Sequence, residues 1–375
     1  MAEAAQPRHL YLHIPYCAAK CPYCDFNSIA GRDAEHGAYV DALLLELRRL
    51  PRGPYHTVFI GGGTPTILSA PLLERLMAGL ADHLRLEQGY EWTCEANPGS
   101  ADAERFAILA AHGVNRLSLG VQSTHDHHLR FLGRVHGSAE ADRAIALARR
   151  AVPRVSADLI MGLPNQTAAE LAVDLELYRR HALDHASVYH LTYEPGTEFH
   201  ARRGRGELND IAPEESRRMF ELAWDTLEGL GLVAYETSNF ARAGEESRHN
   251  LAYWQASDYH AAGAGAVSTV GGARVTREKH PAAYIPAITG GEAAIWRREE
   301  IGPRERLTEA WMLGLRLVRG VALARLAELG DDQARWRPRA DALIGEGLLE
   351  EQAGHLRLTR AGRPVQDEVT VYLLP

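Results

Sequence analysis

Residues 9–26 read HLYLHIPYCAAKCPYCDF, and this stretch decides the fold. Residues 9–14 have the pattern of a β-strand. The loop that follows sets Cys17, Cys21 and Cys24 in a C-x3-C-x2-C spacing. The chain holds only four cysteines, and three of them fall within these eight residues. A disulfide closing so short a loop would add little to a large protein, and thiols in a reducing compartment stay free. Three clustered thiolates suit soft metal ligation. A zinc ion completed by a distant fourth ligand is the competing reading, although zinc cysteines usually come as two pairs. A [4Fe–4S] cubane held by three protein ligands keeps one iron open. That iron can chelate the amino and carboxylate groups of S-adenosylmethionine, whose sulfonium C–S bond an electron from the cluster would break to give a 5′-deoxyadenosyl radical. The protein's part is position and the exclusion of water. Cys94, the odd thiol, lies in a strand pattern beside Glu95 and reads as a small core residue.

Outward from this loop, strand patterns at 9–14, 57–60, 91–95, 115–119, 155–160 and 186–192 alternate with helical patterns at 38–50, 71–84, 102–112, 138–151, 168–181 and 214–230. Six strand–helix units imply parallel pairing through right-handed crossovers. Periodicity does not choose between an open barrel and a doubly wound sheet. Residues 201–213 and 242–248 read as loops. From about residue 303 the pattern changes to helices at 304–318, 322–329 and 336–347, then two short strands around the glycine in GLLEEQAGHLRLT. That combination resembles a winged helix.

The unusual residues fall in or just beyond the strands. The cysteines follow the first, and Gly61-Gly62-Gly63-Thr64-Pro65 follows the second. Glu95 ends the third, Gln122 follows the fourth, Asp158 lies in the fifth, and Thr192 ends the sixth. The carboxyl ends of parallel barrel strands form the reactive face, so these groups would share one rim.

With 375 residues the chain can bury a barrel-sized core and an appendage. A formal charge of −8 gives no basic footprint, which argues against a nucleic-acid partner. Runs such as Arg297-Arg298-Glu299-Glu300 read as a solvated mixed surface. The amino-terminal residues lack a signal-peptide pattern, and no apolar run is long enough to span a bilayer. A cytoplasmic location is expected.

The motifs HIPYC, GGGTP, LGVQS, DLIMGLP, YETSNFA and HNLAYW together resemble the radical S-adenosylmethionine branch that contains oxygen-independent coproporphyrinogen III oxidase. Within it the chain is most similar to the non-oxidase HemW-type heme chaperones, over nearly its whole length. The resemblance implies an incomplete (β/α)6 barrel with a heme-motif extension over residues 1–300, and a C-terminal winged-helix-like α+β domain over 301–375. It implies that Tyr11 and Tyr23 flank the cofactor, and that the backbone of Gly62, Gly63 and Thr64 approaches the methionyl amino group. Glu95 would accept from the ribose hydroxyls, and Thr192 and Val267 would line the adenine. Positions matching Gln122, Arg134 and Asp158 contact a second S-adenosylmethionine in the oxidase. No residue is assigned a catalytic role. The oxidase carries a further cysteine where this chain has Phe26, a departure that argues against coproporphyrinogen decarboxylation. The chaperone branch links an HNxxYW motif to heme, here His249, Tyr253 and Trp254. Imidazole is a common axial ligand to heme iron, and His249 and Tyr253 share a helical face at i, i+4 spacing. The ligand is open, with His13, His136, His190 and His260 as further histidines. The implied function is heme uptake and delivery to apo-hemoproteins of the respiratory chain, with an electron donor, transient membrane contact and a homodimer among the open partners.

Overall fold

A computed structural model describes residues 6–374. Six strands, β1 (His9–Ile14), β2 (Tyr55–Gly62), β3 (Leu86–Ala96), β4 (Arg116–Gln122), β5 (Arg154–Met161) and β6 (His185–His190), pair in parallel in chain order. Helices α1 (His36–Leu47), α2 (Ala70–His83), α3 (Ala103–Ala111), α4 (Ser138–Ala151), α5 (Ala168–Arg180) and α6 (Pro213–Gly229) follow them in turn. Strand alternation explains the layering. Leu10, Leu12, Ile14, Val58, Ile60, Cys94, Leu117 and Leu119 join the apolar faces of all six helices in one core. Burying a leucine or isoleucine of this kind contributes about 2 kcal/mol. The residues between them, Tyr11, Phe59, Glu95, Ser118 and Asp158, belong to the other, concave face. A doubly wound sheet would divide its helices between two faces, so the outcome is the incomplete (β/α)6 barrel.

The sheet continues past both ends of this set and remains open. Beyond β6 come β7 (Val233–Ala234) and β8 (Asn239–Ala241), with β8 antiparallel to both β6 and β7. Beside β1 lies β9 (His260–Ala262), parallel to it with Leu12 opposite Ala262. The full order is β9-β1-β2-β3-β4-β5-β6-β8-β7. Two local expectations are corrected. The sixth strand ends at His190, leaving Thr192 in the following loop. The segment expected as a loop from 201 begins inside a helix, Glu198–Gly204, because Thr197 caps it by accepting from the His200 amide and Phe199 is buried.

After β9, strands Val267–Val270, Ala273–Arg277 and Ile295–Glu300 form an antiparallel sheet. Its outer strand carries the mixed charges of the Arg297–Glu299 and Arg298–Glu300 pairs, 2.7 and 3.0 Å. The C-terminal segment has its own core of Trp311, Leu315, Trp336, Leu343, Leu349 and Leu356. There the helices Pro303–Gly314, Leu323–Glu328 and Gln333–Gly345 meet a small sheet in which His355–Leu358 lies between Val321–Ala322 and Leu349–Gln352. A last helix, Gln366–Leu373, completes the winged-helix-like unit.

Candidate metal and cofactor site

The cysteine loop leaves β1 at Ile14 and closes on itself. Tyr16–Cys17 pairs in parallel with Ile29–Ala30, and the Ile29 amide donates to Pro15 O at 2.7 Å. Lys20 Nζ donates to Ser28 Oγ (2.9 Å) and Phe26 O (2.6 Å). Asn27 clips the loop to the far edge of the barrel, its Nδ2 donating to Ala264 O and Lys279 O, both at 2.9 Å. The three thiols are free and half-buried, whereas Cys94 is fully buried in β3.

A polar chain joins two of the thiols, Cys17 and Cys21. Cys17 Sγ lies 3.4 Å from Thr64 Oγ1, which accepts from Asn97 Nδ2 at 2.7 Å. Asn97 Oδ1 accepts from Arg134, whose Nη2 also donates to Gly120 O (2.9 Å) and whose Nη1 points at Cys21 Sγ, 3.5 Å away. Burial raises the Cys17 thiol above its ordinary value, the neighbouring cysteines add to this, and the Thr64 contact opposes it. Arg134 Nε is buried without a partner. Three soft donors on one loop, with a fixed guanidinium beside them to offset thiolate charge, fit an iron–sulfur cluster.

Toward the barrel interior, Gly62 N donates to Glu95 Oε2 at 3.0 Å. Burial, then the nearby Asp158 carboxylate, push Glu95 up to about 7, against the pull of the Gly62 amide. Asp158 accepts from Ser118 Oγ at 3.2 Å and is itself raised, chiefly by burial. The glycines are needed by the chain's own packing. A Cβ on Gly62, whose φ is +109°, would lie 2.4 Å from the His13 ring, and one on Gly63 would lie 2.6 Å from Tyr16 O. His13 Nε2 is 2.8 Å from Asn27 O, so it donates there, and Nδ1 accepts from the Tyr11 hydroxyl at 2.9 Å. Tyr23 packs near Phe199, with ring centroids 6.4 Å apart. Gln122 adopts φ +71° where the β4–β5 register shifts, a local strain that re-aims its side chain. Thr192 is exposed beyond β6, and Val267 opens the first strand of the three-stranded sheet.

The HNxxYW segment forms helix α7 (Arg248–Trp254), capped by Ser247. The buried Glu91 carboxylate accepts from the amides of Arg248 (3.1 Å) and His249 (3.0 Å), where the helix dipole favours negative charge. His249 is fully buried. Its Nδ1 meets Thr57 Oγ1 at 2.7 Å and its Nε2 meets the Tyr253 hydroxyl at 2.9 Å, the expected i, i+4 contact. Burial, and then the charge of His9, lower its pKa to about 3. The ring stacks on Phe59 at 5.1 Å and 28°. Phe59 stacks in turn on Tyr11 at 6.1 Å, and Tyr253 meets Tyr259 edge-on at 4.8 Å. Both nitrogens of His249 are thus engaged in core hydrogen bonds in this arrangement. Trp254, by contrast, sits at the end of α7 beneath the Arg316 guanidinium, 4.5 Å from the ring centre.

Sequence reasoning passed over Asn97, Asn27 and Phe59. Only the place of Asn97, one residue past the end of β3, hinted at a role on the rim.

The description "Radical SAM superfamily" matches residues 11–178, and "HemN C-terminal domain" matches residues 301–365. The protein named heme chaperone HemW of Mycobacterium tuberculosis is 37% identical over 98% of this chain and 95% of its own length. That of Escherichia coli K12 is 36% identical over 95% of both. The mouse mitochondrial radical S-adenosyl methionine domain-containing protein 1 is 35% identical over 100% of this chain and 89% of that protein. Among solved structures, E. coli coproporphyrinogen III oxidase, HemN, superposes with a TM-score of 0.83 at 22% identity, covering 98% of this chain and 90% of that one. This last likeness concerns the fold.

Proposed function

The chain belongs to the HemW-type heme chaperones of the radical SAM superfamily, and on that premise we propose that it binds heme and a S-adenosylmethionine-ligated [4Fe–4S] cluster and passes heme to apo-hemoproteins of the respiratory chain. The observation that supports it most is that one chain holds a three-thiol loop and, inside the same barrel, the family's HNxxYW segment, whose His249 packs in one cluster of rings with Tyr11 and Phe59. When bound, the cluster and its cofactor supply one-electron cleavage chemistry.

The remaining roles fall to the chain itself. Cys17, Cys21 and Cys24 supply the thiolates, and Arg134 offsets their charge. Gly62, Gly63 and Thr64 turn backbone toward the methionyl amino group. Glu95, once ionised, accepts from ribose hydroxyls. Tyr11 and Tyr23 wall the cofactor, and Thr192 and Val267 line the adenine. Gln122 and Asp158 keep the interior polar. His249 acts by anchoring α7 to β2, while Trp254 gives the porphyrin a flat surface. No helix among the described residues is long and apolar enough to cross a membrane; the carrier we propose is cytoplasmic, with transient membrane contact left open.

The second reading is a coproporphyrinogen III oxidase, favoured by the polar trio of Gln122, Arg134 and Asp158. Phe26, 64% exposed where the oxidase has a cysteine, weighs against it. The test is anaerobically reconstituted protein given dithionite, S-adenosylmethionine and coproporphyrinogen, with a parallel hemin titration. Hemin binding without protoporphyrinogen is expected. Sustained turnover would overturn the carrier reading.

A further inference from the structure

A cleft of about 450 Å³ lies between the end of α7 and the C-terminal domain, with one side toward solvent. Its size falls within the range of small-molecule pockets, roughly 300–1,000 Å³. Trp254 forms one wall, and Leu317, Val321 and Leu329 give it an apolar floor. Three exposed arginines, Arg306, Arg319 and Arg325, stand around it. Of its two acids, Glu309 is committed to Arg274 at 2.8 and 3.1 Å, and Asp258 accepts from the Gly271 amide at 2.7 Å. Arg325 pairs with Glu328 at 3.3 Å and Arg306 Nε donates to Ile301 O at 3.1 Å, so Arg319 and the remaining donors of Arg306 leave the cleft favouring an anion with a broad apolar body. His355 also lines it, half-buried at the start of the strand His355–Leu358. Its Nδ1 is 3.1 Å from Ala353 O and donates there. That contact fixes the tautomer and leaves the lone pair on Nε2, the arrangement by which a backbone carbonyl orients a metal-ligating imidazole.

We propose that this cleft is the heme site: the macrocycle lies against Trp254, the two propionates pair with arginines of the rim, and His355 Nε2 ligates the iron. The assignment rests on the heme-carrier reading and gives it a location. It also explains how the HNxxYW segment serves heme while His249 stays in the core, since α7 delivers Trp254 to the cleft. An open side suits a carrier that must release its cargo.

The test is hemin titration of the full-length protein, followed by the Soret band and by electron paramagnetic resonance of the ferric complex. His355→Ala should abolish the histidine-ligated spectrum, and added imidazole should restore it. Arg319→Glu and Arg306→Glu should each weaken hemin at least tenfold and leave hemin dimethyl ester nearly unaffected. Circular dichroism checks that these variants fold, which is expected because all three side chains lie at the surface or half-buried. If the wild-type protein binds hemin and His355→Ala binds it with unchanged affinity and spectrum, the cleft assignment fails while the carrier reading stands. Loss of the ligated spectrum in His249→Ala, with His355→Ala unaltered, would overturn it in the same way. A wild-type protein that takes up no hemin would overturn both.

Discussion

Replacing His249 by alanine separates a ring that holds the core from one that serves an iron. The side chain makes two hydrogen bonds, to Thr57 and Tyr253, and stacks on Phe59. At about 1 kcal/mol for each hydrogen bond and about 1 kcal/mol for the stacking, the loss at pH 7.5 is about 3 kcal/mol. Thr57 keeps a second partner in His9 Nδ1 at 2.9 Å, so the hydroxyl left bare is that of Tyr253. The ring also sets a pH signature. Its pKa is held near 3 in the folded chain against an ordinary value of 6.5. Between those values the unfolded chain binds a proton that the folded chain refuses, so stability is intact above pH 6.5 and falls as the pH drops. From pH 7.5 to pH 5 this costs the wild-type protein about 2 kcal/mol, and His249→Ala is spared that cost. The assay is urea unfolding of both proteins at the two pH values. The variant should trail by about 3 kcal/mol at pH 7.5 and by about 1 kcal/mol at pH 5. His9, lowered to about 4 mainly by burial, titrates in both proteins and largely cancels in the difference. A variant within about 0.5 kcal/mol of wild type at pH 7.5, or a gap that does not narrow, would refute the core role.

Cys21→Ser should lose most of the bound iron in elemental analysis while its far-ultraviolet circular dichroism stays native, because the cysteines lie on a loop outside the core; undiminished iron would contradict the ligand assignment. Gly62→Ala places a Cβ 2.4 Å from the His13 ring at φ +109°, and should cost more than about 2 kcal/mol in the same unfolding assay and reduce iron retention; wild-type values would show that β1 and β2 can part. Glu95, raised to about 7, is neutral below that pH and ionised above it. Calorimetry should therefore find S-adenosylmethionine affinity falling as the pH drops from 8 to 6, and Glu95→Gln should bind more weakly with a flat profile; a wild-type profile that is already flat would remove its ribose role.

The six strand–helix units were legible because each strand is long enough to show a period and each helix carries an apolar stripe, whereas their closure toward a barrel rested on the family resemblance. The expected strand at 115–119 and the observed Arg116–Gln122 differ by a few terminal residues. β9 escaped notice because three residues, His260–Ala262, are too few to show alternation, although they cover the edge of β1. The cysteine spacing marked the candidate donors by itself. Asn97 and Asn27 were invisible because a single amide in a loop has no pattern; only the folded chain shows that each bridges distant segments. The HNxxYW motif disclosed residue types and their helical spacing, but not depth. His249 is driven inside by the carboxylate of Glu91 and the ring of Phe59, which lie more than 150 residues away. His355 belongs to no motif, and only the fold brings it to the same cleft as Trp254.

Asn27 carries a consequence for biogenesis. The residue is encoded near the start of the chain, yet its side chain fastens to the carbonyls of Ala264 and Lys279. A ribosome must have released the 252 residues from Asn27 to Lys279 before that clasp can shut, and β1 gains β9 at its flank over the same interval. Until then the nascent protein carries its thiols on an unfastened strap. The loop settles only once the chain has grown past Lys279, and damage to the stretch around residue 279 would loosen the loop that carries Cys17, Cys21 and Cys24.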